Sequence, residues 1–590
     1  MRSEKGEEIR LKGIAASPGI SIGHVLILKK DGVVIEERTI EDTQAELLRL
    51  ERAIEKSTRE LEKIYSTAFE KIGKDKARIF EAQLMMLSDP IFVETVKKRI
   101  SSEQKNAEYI VADEVNKQTE MLRKSDSEIF KLRALEIEDV KNRIIRNLSE
   151  AKLRSRFEGN PIIVATELSP ADAVLLSRNA VLGYASDYGG ARSHASILAR
   201  SLGIPAVVAL RELTRHVKDG DEIILDGYRG TVVVNPTPET MEKYVTRKNS
   251  CDAFDSELLA QAAEPGLTTD GHRVKVEANL ELLEELQLLK GHGAEGIGLF
   301  RTEPMIIDLN AIPDEDYQFE TLRQVVEAAN PNPVVIRTFD IGGDKLFVEE
   351  HSEPNPFLGW RGIRMLLDRP DVLKDQLRAI LRASAYGKCK IMFPMVATVE
   401  EVVKARKILD EVKYELDSKG IKYDKDMEVG VMIEIPSAAL MSKEIAKHVD
   451  FLSIGTNDLV QYLLAVDRTN ELVANLFDEF HPAVIRTIKY VIDAGHEAGI
   501  SVAMCGEMAG NPLATAMLLG MGLDEFSAVS SVLPVLKKIV RETNYKSARK
   551  FARQILKLES SEQIRKELRE YLKQRFERIY YTTISEENFD

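Results

Sequence analysis

The spacing of apolar residues changes from one region of the chain to the next. In Gly13 to Lys29, GIAASPGISIGHVLILK, apolar residues mix closely with glycine and small polar residues, which predicts strands joined by tight turns. From about Thr39 the period lengthens. Leu47, Leu48, Leu50, Ile54, Leu61 and Ile64 recur at mostly helical spacing among charges, and similar stripes continue to about Leu153. Amphipathic helices packed as a bundle are expected there, interrupted near Gly73, Asp89-Pro90 and Ser125-Asp126. After Phe157 the runs PIIVAT, AVLGYAS, IPAVVAL and DEIILDGYRGTVVVNP restore the strand-and-turn texture. Residues 1–36 and 152–237 are therefore expected to form one α/β domain, with the helical block 37–151 inserted into it. Residues 238–265 read as a helical, apolar-poor linker that ends at Pro265-Gly266.

From Val274 onward, short apolar runs alternate with helical segments. The runs are VKVEANL, EGIGLF, PVVIRTF, KIMFPMV, VGVMIEI, FLSIGT and SVAMCG. Near-continuous apolar runs suit parallel strands buried on both faces. Several of them deliver a polar group at the carboxyl end: Arg301, Arg337, Glu434, the pair Asn457-Asp458, and Cys505. That pattern predicts a (β/α)8 barrel over residues 266–590, with the strand not seen in the list expected near Pro356 to Arg361. An open doubly wound sheet is the competing arrangement, and delivery from so many strand ends favours the closed one. The expected fold class is multidomain α/β.

Composition narrows the setting. At 590 residues the chain is too long for one ordinary domain, and 44% hydrophobic with 30% charged residues reads as globular. No apolar run approaches the roughly 20 residues that cross a bilayer. The opening MRSEKGEEIRLKG has no apolar core of a secretory signal. Cys251, Cys389 and Cys505 lie far apart, which argues against a disulfide framework and suits a reducing, cytoplasmic setting. The net charge of −14 disfavours nucleic acid or an anionic membrane as the main partner, while local arginines leave a small anion admissible.

Two segments carry candidate chemistry. Gly189-Gly190-Ala191-Arg192-Ser193-His194 runs into the apolar-periodic ASILARSLG. Paired glycines before a helix let backbone N–H groups approach an anion, and the helix dipole favours neutral, nucleophilic imidazole over its cation. An imidazole with a pKa of about 6.5 is already largely neutral at pH 7. On local pattern alone, Ser193-His194 reads equally well as a simple helix cap. The second segment is the set of strand ends. Arg301, Arg337, Arg361 and Arg468 match the needs of a small phosphate- and carboxylate-bearing anion, and Glu434 and Asp458 offer oxygen ligands to a hard divalent cation. Singly, each reads as a surface ion pair or a cap.

The run GGARSHASILARSLGIPAVV resembles the phosphohistidine signature shared by Enzyme I of the bacterial phosphotransferase system, pyruvate phosphate dikinase and phosphoenolpyruvate synthase. The strings GLFRTE, VVIRTFDIGGDK, LGWRGIR, MIEIPSAA, SIGTNDLVQY, LAVDRTN and MCGEMAG resemble the phosphoenolpyruvate-binding domain of Enzyme I over residues 266 to about 540. IFEAQLMMLSDP, Ile79–Pro90, is similar to the Enzyme I domain that docks the small phosphocarrier HPr. The resemblance implies that His194 is the phosphorylated residue, on a swivelling α/β domain hinged near the linker. It implies that Arg301, Arg337, Arg361, Asn457, Asp458 and Arg468 hold phosphoenolpyruvate, and that Glu434 and Asp458 bind Mg2+. Lys345 is a weaker substrate contact, equally readable as a solvated lysine. Transfer leaves an enolate whose methylene carbon must be protonated, and the resemblance gives that role to Cys505. A thiol with a pKa of about 8.5 is protonated at neutral pH and can donate. Arg192, Asn511 and Gln83 stand where relatives usually carry Thr, Asp and often His.

Dikinases and synthases carry a large ATP-binding domain ahead of the histidine, whereas the helical block fills that place here and shows no Gly-rich phosphate loop. A nitrogen-regulatory paralogue would need a further N-terminal sensor domain, for which no room is expected. The expected activity is phosphate transfer from phosphoenolpyruvate to His194 and then to HPr, releasing pyruvate. A synthase or dikinase activity and a non-catalytic regulatory scaffold are the alternatives. A homodimer through the barrel is implied by the resemblance.

Overall fold

A computed structural model describes residues 7–28, 37–40, 42–72, 84, 86–87, 89–123, 137–138, 140–145, 147–148, 160–168, 181–190, 196, 199, 203–281, 283–309, 312–342, 355–468, 470 and 472–584. They divide into two units, Met1–Asp252 and Ala253–Asn588.

In the first unit, β1 (Ile9–Lys12), β2 (Ile14–Ser17) and β3 (Ile20–Ile27) precede the helical block, and five strands follow it. These are β4 (Ile162–Ala165), β5 (Gly183–Ser186), β6 (Ala206–Val208), β7 (Glu222–Asp226) and β8 (Thr231–Val234). They form one sheet in the order β1-β8-β7-β3-β4-β5-β6-β2, parallel from β3 to β6 and antiparallel elsewhere. The alternation of side chains along a strand gives the sheet two apolar faces: Ile162 and Val164 join one core, Ile163 and Ala165 the other. Strands β3 and β4 are parallel neighbours, so the chain between them makes a long crossover, and the helical block occupies it. That block contains α1 (Thr43–Ile72), α2 (Pro90–Glu103) and α3 (Ala107–Arg123). Their stripes meet in a core of Leu50, Leu61, Val96, Ile100, Ile110, Val111 and Val115. Helix α2 starts at Pro90, a first-turn position where the missing N–H costs nothing.

The second unit is built on eight parallel strands: β9 (Lys275–Leu280), β10 (Ile297–Arg301), β11 (Val334–Arg337), β12 (Cys389–Phe393), β13 (Glu428–Ile433), β14 (Phe451–Ile454), β15 (Ser501–Met504) and β16 (Glu525–Val529). Pairing of β16 with β9 closes the barrel. The expectation of a strand near Pro356 to Arg361 is wrong. Pro356–Leu358 is a 3-10 turn, and the eighth strand is Glu525–Val529. The reason is physical: EFSAV puts Glu525 and Ser527 on the interior face, so the strand alternates and never forms an apolar run.

The barrel interior is layered. At the amino-terminal end Lys275 pairs with Glu525 at 2.5 Å and Lys390 with Glu428 at 2.6 Å. A middle layer follows of Leu299, Val335, Met392, Met432 and Phe451, in contact with Cys505. Gly430 makes room for it, since a Cβ there would lie 2.5 Å from the Phe451 ring. Charge returns at the carboxyl end with Arg301 and Arg337.

Glu277, inward on β9 and 1% exposed, has one carboxylate oxygen without a partner among the described residues. Burial, then the charge of Glu525, pushes its pKa from 4.5 up to about 8, against Lys275 and Lys390. The folded chain thus holds a proton that the unfolded chain releases, and stability from this group falls as pH rises from 4.5 to about 8. Glu277→Gln, which cannot ionise, is expected to flatten the decline of melting temperature over that interval. A pH–stability curve parallel to the wild type would refute the assignment.

Candidate active site at the carboxyl ends of the barrel strands

Parallel strands of a closed barrel all point their carboxyl ends at one face, so polar residues spaced far apart in sequence meet there. Arg337, the last residue of β11, is buried, and its guanidinium meets Glu303 at 3.0 Å and Asp340 at 3.3 Å. Arg361 follows the Pro356–Leu358 turn. Its Nε and Nη2 donate to the two oxygens of Asp340 at 3.0 and 2.7 Å, a bidentate fork, and Nη2 also donates to Asp458 at 3.3 Å. Asp458 lies in the first turn of α4 (Thr456–Leu464), where the helix dipole favours a negative charge. Glu434 follows β13, is 2% exposed, and accepts the Met395 backbone N–H at 2.6 Å. Met395 holds a left-handed φ of 57°, an unfavourable conformation for a side-chain-bearing residue, and so aims its N–H at Glu434.

Asp340, Glu434 and Asp458 are all buried, and each offers an oxygen within 4.8 Å of the others. Burial pushes the Glu434 pKa upward, and repulsion from Asp340 and Asp458 adds to it against the pull of Arg337 and Arg361. Burial by itself would lower the pKa of both guanidinium groups. The carboxylates outweigh it, and Arg337 and Arg361 are both held firmly charged.

Cys505 directly follows β15 and is buried. The Ser453 hydroxyl donates to its sulfur at 3.3 Å, and Asn279 Nδ2 donates to its carbonyl at 2.9 Å. Burial raises the thiol pKa and the Ser453 bond opposes that rise. The place of Cys505 just past the carboxyl end of β15 puts it on the same barrel face as Arg301 and Arg337, and their charges and that of Glu434 act on the thiol. Arg301 ends β10 and is paired with Glu281. Asn457 and Glu507 exchange two hydrogen bonds, with Asn457 Nδ2 donating at 3.1 Å and its oxygen accepting the Glu507 N–H at 2.9 Å. Arg468 reaches the same Glu507 carboxylate at 3.7 Å.

The structure therefore gathers Arg301, Arg337, Arg361, Glu434, Asp458 and Cys505 at one end of the barrel, and links Asn457 to Arg468 through Glu507. His194, with Arg192 and Ser193, lies outside the described residues, as do Gln83 and Lys345. Near it, Gly189 has a left-handed φ of 119°, and the Ser196 hydroxyl donates to the Gly190 carbonyl at 2.8 Å. Asn511 donates to Glu479 at 2.7 Å.

Sequence reasoning missed the counter-charges Glu281, Glu303, Asp340 and Glu507, and the contacts made by Ser453, Asn279 and Met395. One signal was available: buried arginines require carboxylates, and Asp340 and Glu303 lie three and two residues beyond Arg337 and Arg301.

Three family models match the chain. They describe the N-terminal part of PEP-utilising enzymes over residues 12–133, their mobile domain over 157–230 and their PEP-binding domain over 256–545. The chain is 43% identical to a phosphoenolpyruvate-protein phosphotransferase of Geobacillus stearothermophilus, covering 95% of this chain and 98% of that protein. Proteins of the same name from Bacillus subtilis and Haemophilus influenzae are 42% and 41% identical, over 94% and 95% of this chain and 98% and 99% of theirs. With relatives of this identity along nearly its whole length, the chain belongs to the PEP-utilising enzymes and, among them, to the phosphoenolpyruvate-protein phosphotransferases, or Enzyme I.

Proposed function

We propose that this chain takes phosphate from phosphoenolpyruvate onto His194 and passes it to a histidine of HPr, releasing pyruvate, as the first step of sugar uptake. The observation that carries this reading is the convergence of guanidinium groups, a buried carboxylate cluster and a thiol at one barrel end. Residues 1–36 and 152–237 would be the carrier, 37–151 the HPr-docking bundle, 238–265 the linker, and 266–590 the substrate-binding and dimerising barrel. The site of action would be the cytoplasm. No helix among the described residues is long and apolar enough to cross a membrane.

Arg301, Arg337, Arg361, Asn457, Asp458 and Arg468 would hold the substrate. Each of these arginines already rests against a carboxylate, so an entering anion exchanges one oxyanion partner for another. That exchange avoids the desolvation a free guanidinium would require. Arg337 Nε, buried with no partner among the described residues, is a donor still to be spent.

Oxygen-only ligands and crowded negative charge fit a hard divalent cation, so Glu434 and Asp458, with Asp340 beside them, would hold Mg2+. When bound, the cation supplies charge neutralisation on the phosphoryl group. The arginines orient that group for in-line attack by the His194 imidazole, whose N–P bond forms as the enolate oxygen leaves. The Cys505 S–H bond then breaks as the methyl C–H bond of pyruvate forms.

Incubation with labelled phosphoenolpyruvate and Mg2+ is expected to give acid-labile, base-stable labelling that passes to purified HPr and is absent in His194→Ala. Absence of any label would favour the scaffold, and ATP-dependent formation of phosphoenolpyruvate from pyruvate would favour a synthase or dikinase. Glu434→Ala is expected to raise the Mg2+ concentration for half-maximal activity by on the order of 10-fold or more. An unchanged metal response would remove Glu434 as a ligand. Cys505→Ala should slow pyruvate release about 100-fold or more, with KM little changed. Wild-type turnover would remove the thiol as the acid.

A further inference from the structure

Ser453 is fully buried on β14 and faces the barrel interior. Its neighbours across the sheet are Met432 on β13 and Ala503 on β15. Ala503 offers no side-chain acceptor and Met432 only a thioether. Around it lie the apolar side chains of Leu299, Val335, Met392, Met432 and Phe451. A hydroxyl buried there costs about 1–3 kcal/mol unless it finds a partner, so an apolar side chain would serve packing better. The partner it has is Cys505 Sγ, at 3.3 Å.

The rest of the cysteine is held separately. Asn279 grips its carbonyl, Ser527 donates to Asn279 Oδ1 at 2.6 Å, and the Cys505 N–H donates to the Ile454 carbonyl at 3.1 Å. The backbone is thus fixed without Ser453, and the hydroxyl bears on the sulfur alone. Giving up a proton in this setting leaves a buried thiolate. Charge-assisted hydrogen bonds are stronger than neutral ones, so an O–H aimed at sulfur helps most after the proton has left. The charged groups acting on the thiol are Arg337, Glu434 and Arg301.

We propose that Ser453 is the positioning residue of the proton donor, aiming Cys505 Sγ and stabilising the thiolate formed when its proton passes to the enolate carbon. This rests on the reading of Cys505 as the acid. Hydrogen bonds to charged groups set the expected size of the effect: Ser453→Ala should lower kcat about 10- to 100-fold and leave KM within about twofold. In a Cys505→Ala background the same substitution should cause no further loss, because its target is gone. In ultraviolet difference titrations against Cys505→Ala, the thiolate absorbance should appear at higher pH in Ser453→Ala than in the wild type. Ser453→Cys, close in volume and a weaker donor, should fall between the two in rate, and it decides the matter if Ser453→Ala does not fold. Wild-type turnover in the serine variants would overturn the proposal. So would losses that multiply in the double variant, which is the signature of a merely structural role. Normal turnover in Cys505→Ala would instead sink the reading of the thiol, whatever the serine variants do.

Discussion

Three carboxylates forced to share one buried space repel one another, and the rest of the site is arranged around that repulsion. Asp340 and Glu434 follow two different strands and Asp458 opens the helix after a third, and none could be held out of water alone. Arg361 forks onto Asp340 while touching Asp458, and Arg337 also reaches Asp340. Glu434 receives a backbone N–H from Met395, whose left-handed conformation is the local cost of aiming it. The carboxylates still outnumber the guanidinium groups that face them, and this excess is what a divalent cation would cancel.

The barrel supports this concentration of charge by separating it from a second one. Lys275, Glu525, Lys390, Glu428 and Glu277 fill the amino-terminal end, and the arginines and carboxylates of the site fill the other. Between them lies an apolar and sulfur-rich layer with Ser453 and Cys505 at its edge. Low-dielectric material beneath the site strengthens every electrostatic contact above it, and it makes an unpartnered polar atom expensive. The orphan oxygen of Glu277 shows that expense at one end, and the paired hydroxyl of Ser453 shows how it is avoided near the other.

Resident carboxylates also explain how the arginines stay ordered on their own. Glu281, Glu303, Asp340 and Glu507 are paired with Arg301, Arg337, Arg361 and Arg468 respectively. Preorganisation of this kind would lower the entropic cost of gripping an anion, because the side chains are already fixed.

Much of this was legible in the sequence. Seven of the barrel strands announce themselves as apolar runs, since strands covered on both faces need no alternation, and their polar terminators name Arg301, Arg337, Glu434 and Cys505 directly. The eighth strand was misplaced because Glu525 and Ser527 turn polar side chains inward, a choice that only barrel closure makes sensible. Asp340 and Glu303 went unnoticed because an acidic residue near an arginine is unremarkable until both are buried together. Ser453 was invisible for the same reason: a serine in FLSIGT has no meaning until Cys505, just past the adjacent strand, lies 3.3 Å away. Residue type and spacing determined which elements form and which chemistry is on offer. Only the folding of distant segments into one low-dielectric space decided which charges face each other, because interactions across it depend on separation in space and not on separation along the chain.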